Sequence, residues 1–136
     1  MDGNPSLDNY ERYDVIVGHN PSGTSLMNLI HWQQLFETKT FRSYDHGSKE
    51  ANKQKYGLVY PPDFQLEQIS KPMRFFYGFS DLAADFEDVE YMWGKLNPNV
   101  KTFMKGYNAG HATFVWGKDT STWMADLLKM LSETPE

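Results

Sequence analysis

Two short apolar runs, each broken by a glycine, constrain this chain more than any other feature. Met73-Arg74-Phe75-Phe76-Tyr77 breaks at Gly78, and Val100 to Met104 breaks at Gly106. Between them, Val89, Met92, Trp93 and Leu96 recur at helical steps along Phe86 to Leu96. Asp85 stands where an N-cap would accept from a free backbone N–H, and Asn97-Pro98-Asn99 stops the helix. Two strands joined through a helix pair in parallel, because a parallel return needs a crossover of this length. A closing helix follows, capped by Thr120 or Ser121, with Trp123, Leu127, Leu128, Met130 and Leu131 as its apolar face. The expected class is α/β, with residues 71–136 as strand-helix-strand-helix at the end of a mostly parallel sheet.

Each run delivers a chemically useful side chain. The first leads into Ser80-Asp81 and the second into Asn108-Ala109-Gly110-His111. A histidine facing a carboxylate can act as a general base, with the carboxylate holding its tautomer. Taken alone, His111 more often reads as a structural or surface histidine, and Asp81 as a turn aspartate. Asp85 competes as the acid, though its place suits a cap better. Tyr77, Phe79, Tyr107 and Phe114 border these loops and fit an acyl pocket or ordinary core equally well.

The first half is less regular. Residues 1–13 are polar and expected to be flexible, and Asp14-Val15-Ile16-Val17 reads as a short extended run. The turn Gly18-His19-Asn20-Pro21-Ser22-Gly23 leads to a helix capped by Thr24 or Ser25 and running to Thr38. Leu26, Leu29, Ile30, Gln33 and Phe36 recur at helical steps and mark its expected buried face, with Asn28, His31 and Gln34 off it. From Thr40 to Ser70 little periodicity remains, and a long loop is expected, of the kind that is usually functional. Residues 14–70 thus form a helix and a long loop ahead of the sheet.

Composition excludes several classes. A formal net charge of -5 without a Lys/Arg cluster argues against a nucleic-acid partner, which needs concentrated positive charge. No apolar run is long enough to span a bilayer. Cysteine is absent, so no disulfide, thiolate metal site or thiol nucleophile exists. His19, His31 and His46 lack metal-ligand pairing. The acids Asp85, Glu87, Asp88 and Glu90 lack the spacing of a calcium loop. No metal or cofactor is expected.

Five blocks resemble, in order, the acid lipase family, the gastric and lysosomal acid lipases of the α/β-hydrolase fold. His19-Asn20-Pro21-Ser22-Gly23-Thr24-Ser25, with His31-Trp32 beyond it, is similar to the family's His-Asn-Pro-(Ala/Ser)-Gly-Thr-Ser and His-Trp. Phe41 to Ser48 and Pro61-Pro62 match the next two blocks. Gly78 to Asp85 resembles the segment that carries the catalytic acid, and His111 to Gly117 the segment that carries the catalytic histidine. The chain departs where His46 replaces a tryptophan, where Thr113 replaces an acid, and at Asn108-Ala109-Gly110, a slightly longer loop than the family's.

The resemblance implies the C-terminal part of an α/β-hydrolase fold, with 14–70 holding the end of a cap region. It makes Asp81 and His111 two members of a Ser–Asp–His triad. The Gly-x-Ser-x-Gly elbow that would carry the nucleophile is missing here, so the serine must come from a companion chain or a missing N-terminal part. The implied substrate is a neutral lipid ester, and the implied destination secreted or lysosomal. Alone, the chain is expected to be inactive, and its open strand edge to seek a partner. Alternatives are a non-catalytic assembly subunit derived from an α/β-hydrolase, a thioesterase or peptidase on the same fold, or a small self-contained α/β binding domain.

Overall fold

The computed structural model describes residues 3–133. Residues up to Asn20 together with those from Leu66 onward form one compact unit, and Pro21–Gln65 forms a second.

The first unit is built on two parallel strands, β1 (Met73–Gly78) and β2 (Lys101–Tyr107). A register irregularity falls between Met73 and Arg74, where the Thr102 hydroxyl donates to the Met73 carbonyl at 2.9 Å. Four helices belong to this unit, and their numbering follows the chain. α1 is Tyr13–His19, α4 is Phe86–Lys95, α5 is Thr113–Trp116 and α6 is Ser121–Glu133. Strand alternation sends side chains to two layers. Phe75 meets Trp93 at 5.1 Å and Tyr77 meets Phe86 at 4.9 Å, both on α4. On the opposite face Phe76 stacks on Tyr107 at 5.6 Å, and the Tyr107 hydroxyl donates to Asp126 of α6 at 2.7 Å. Helices on both faces are what a parallel strand pair requires for burial.

α4 starts where expected, because Asp85 accepts the Asp88 N–H at 3.0 Å. Its apolar face also lies as the periodicity implies: Val89, Met92 and Trp93 are half-buried and Leu96 is buried. Leu96 joins Leu66 and Val100 in the core, flanked by Ile69, Met73 and Phe75. Each such buried aliphatic chain contributes about 2 kcal/mol.

Several expectations need correction. β2 does not stop at Gly106 but runs through it to Tyr107. A side chain at position 106 would strike the rings of Tyr77 and Phe79, so glycine here makes room for them rather than ending the strand. Val15, Ile16 and Val17 are helical, in α1, not extended. The segment expected to be flexible carries 3-10 turns at Pro5–Leu7 and Tyr10–Arg12, and Lys118 N–H donates to the Leu7 carbonyl at 3.0 Å. Met1 and Asp2 lie outside the described residues. In α6, Trp123, Leu127 and Met130 are half-buried as expected, but Leu128 and Leu131 are exposed.

The second unit holds α2 (Leu26–Thr38) and α3 (Lys49–Tyr56). Ser25 caps α2 by accepting from Met27 N–H at 3.1 Å. Of the expected apolar face only Ile30 is half-buried. Leu26, Leu29, Trp32 and Phe36 are exposed, while His31 donates from Nε2 to the Arg42 carbonyl at 2.8 Å. Gln34 both donates to and accepts from the Asp45 backbone, at 2.9 Å each way. α3 interrupts the expected long loop. Its sequence, Lys-Glu-Ala-Asn-Lys-Gln-Lys-Tyr, has almost no apolar signal. Capping supplies the missing information, since Ser48 accepts from Ala51 N–H at 3.1 Å. Asn52, at 2% exposure, ties this helix to the preceding turn. It accepts from His46 N–H at 2.9 Å and donates to an Asp45 carboxylate oxygen at 3.1 Å.

Candidate active site

β1 and β2 end side by side, and their ladder continues into the loops beyond. Phe79 N–H donates to the Tyr107 carbonyl at 2.9 Å, and Ser80 N–H to that of Ala109 at 3.0 Å. The two connections are therefore stitched together at the carboxyl ends of the strands, the edge at which open α/β sheets bind ligands. The approach is close enough that any side chain on Gly78 would collide with the Ala109 carbonyl.

This stitching brings Asp81 and His111 together, 30 residues apart in sequence. His111 Nδ1 lies 3.1 Å from Asp81 Oδ2. The other carboxylate oxygen accepts from Ala83 N–H and Ala84 N–H, both at 2.8 Å. Asp81 is 8% exposed, whereas the His111 side chain is 48% exposed. Burial is the largest single influence on the Asp81 carboxyl and pushes its pKa up. The amides of Ala84 and Ala83 and the His111 ring together outweigh burial, holding the pKa below the usual carboxylate value. Asp81 is thus an anion that can only accept, so Nδ1 of His111 carries the proton. Nε2 is left with a lone pair and makes no hydrogen bond among the described residues.

The loop that carries His111 is held from behind. Gly110 N–H donates to the buried Thr113 hydroxyl at 2.9 Å, and α5 starts at that residue. Thr113 therefore has a structural task at the position where an acid was noted as absent. Asp85, the competing acid, is occupied as the α4 cap and has no contact with His111.

The four aromatics bordering the loops meet in two edge-on pairs, Tyr77 with Phe79 at 5.7 Å and Tyr107 with Phe114 at 6.5 Å, and differ in burial. Tyr107 is core at 5% exposure, Tyr77 and Phe114 are half-buried, and Phe79 is exposed. Sequence reasoning missed the exposed Leu82, which follows Asp81 directly. It also missed the amides of Ala83 and Ala84, although Asp followed by small residues is a known side-chain-to-backbone turn signal. Thr113 offered no local signal, because its value lies in a hydroxyl buried by tertiary packing. Among the described residues, no three His, Asp or Glu side chains converge to hold a metal ion.

The chain is similar to curated lipases over most of its own length. Human gastric triacylglycerol lipase is 34% identical over 126 residues, covering 92% of this chain and 31% of that protein. Rat gastric triacylglycerol lipase is 30% identical over the same length. Human lysosomal acid lipase/cholesteryl ester hydrolase is 32% identical over 111 residues, 82% of this chain and 28% of that protein. No family model matches the chain. The chain spans about a third of the length of the curated relatives it matches. The motif resemblance is thereby borne out: the match fits an acid lipase C-terminal portion, and the origin of the chain is that of a lipase-like hydrolase.

Proposed function

We propose that this acid-lipase-like chain supplies the acid and base, Asp81 and His111, of a serine ester hydrolase whose nucleophile lies in sequence outside it. One observation carries the proposal: a buried carboxylate, fixed by two amides, holds a half-exposed imidazole with its Nε2 unengaged. That geometry suits a base awaiting a hydroxyl. Nε2 would take the proton of an attacking serine and return it to the departing alcohol, while Asp81 holds the tautomer and stabilises the imidazolium. The relatives carry the names triacylglycerol lipase and cholesteryl ester hydrolase. A neutral lipid ester is therefore the proposed substrate of the assembled enzyme, and a secreted or lysosomal setting its proposed location. Exposed Phe79 and Leu82, on the loop that carries Asp81, suit an apolar acyl group.

The serine would come from a companion chain or from additional sequence carrying Gly-x-Ser-x-Gly. The alternative, an assembly subunit without catalysis, draws support from the exposed apolar face of α2, Leu26, Leu29, Trp32 and Phe36. Native mass spectrometry after a fluorophosphonate serine probe separates the two. A labelled companion bound to this chain supports the hydrolase, and a lone unlabelled chain supports the subunit. In the labelled assembly, His111→Ala should abolish ester hydrolysis with the fold retained. Turnover surviving in that variant would remove His111 from the mechanism.

A further inference from the structure

A second feature is a cleft of about 400 Å³ between α1 and α5. This lies at the lower end of the sizes that hold small molecules. Val15 and Ile16 of α1 and Val115 and Trp116 of α5 supply its apolar walls. Among the described residues, Arg12 and His19, at the two ends of α1, are its ionisable side chains, and the remaining lining residues are neutral. No Asp or Glu among the described residues lines it. The Arg12 guanidinium makes no salt bridge or hydrogen bond among the described residues. Asp8 lines a smaller adjoining hollow and accepts from the Tyr13 hydroxyl at 3.3 Å.

A cation beside apolar walls, in a chain of net charge -5, is a selective arrangement. The walls favour an alkyl chain, and the planar guanidinium matches a carboxylate through two parallel N–H donors. A single arginine suits a single charge better than a phosphate. We propose that this cleft binds a medium-chain fatty carboxylate, with Arg12 on the head group and Ile16, Val115 and Trp116 along the tail. Such binding needs no nucleophile, so it stands or falls apart from the proposed triad.

The test is a titration of the full chain with decanoate, below its micelle concentration, followed by amide and indole NMR shifts. Saturable shifts centred on Ile16, Val115 and the Trp116 indole are expected. Arg12→Gln should weaken binding at least tenfold, while Lys71→Gln, which removes an equal charge from an exposed site, should leave it unchanged. Decanol should bind at least tenfold more weakly than decanoate. Absence of saturable shifts, shifts centred elsewhere, an unaltered affinity in Arg12→Gln, or decanol binding as tightly as decanoate would each overturn the inference.

Discussion

The α-carbon of Gly78 faces the carbonyl of Ala109 with no room between them for a side chain. Gly78 ends β1 and Ala109 precedes the His111 turn, so this one approach sets the spacing of the two loops that carry the acid and the imidazole. Thr113, which holds Gly110 from below, completes the clamp.

Gly78→Ala should therefore act on the pair without touching either residue. Backbone atoms, not a flexible side chain, oppose the added methyl, so relief requires separating the loops. Overpacking of this kind costs about 3 kcal/mol. Urea unfolding would register the loss, and NMR would register a weakened Asp81–His111 hydrogen bond. A variant with unchanged stability and an intact bond would show that the loops are not constrained at this point.

Asp81→Asn should preserve the turn, since the amide oxygen can still accept from Ala83 and Ala84. Its NH₂ then faces Nδ1, which must become an acceptor, moving the ring proton to Nε2. Nitrogen-15 shifts of His111 in the isolated chain would report the exchange of tautomers. In an assembled enzyme the same change should lower kcat by about four orders of magnitude, the effect of a wrong tautomer in serine triads. Retention of the wild-type tautomer would remove Asp81 as its determinant.

Asp81 also predicts a pH dependence of stability. Burial opposes its ionisation, but the Ala84 and Ala83 amides and His111 prevail, so the folded carboxyl holds its proton less tightly than the unfolded one. Its contribution is present above the unfolded carboxylate value of about 4 and is lost as pH falls through the lower folded value. Asp45 is also held low, chiefly by the Gly47 N–H, so the wild-type curve alone is ambiguous. The stability difference between wild type and Asp81→Asn should shrink as urea titrations move from neutral pH to below 4. Parallel curves across that interval would exclude the linkage.

In the second unit, Asn52→Ala should be strongly destabilising. It removes a 2% exposed amide and leaves His46 N–H without its acceptor, a loss of about 2 kcal/mol or more. Hydrogen exchange should accelerate at His46 and along α3. Unchanged protection there would mean that Ser48 and the backbone suffice to order the turn.

The linear sequence determined the strands, α4 with its cap and apolar face, and the two residues that end the loops. Each of these rests on short-range physics: apolar periodicity, a side chain that caps its own helix, and a break in a run. Hydrophobic pattern failed where apolar residues do not face a core within this chain, as with Leu26, Leu29, Trp32 and Phe36 of α2, whose more buried side bears Ile30 and Leu35 together with His31 and Gln34. It failed again at α3, where capping by Ser48 and the buried hydrogen bonds of Asn52 replace an apolar face. Only the tertiary structure decided that Asp81 rather than Asp85 meets His111. It alone showed that Gly106 belongs inside β2, and that Thr113 supports the histidine loop from a buried hydroxyl. Those outcomes depend on which backbones run side by side, and parallel pairing of β1 with β2 joins residues that sequence separation keeps apart.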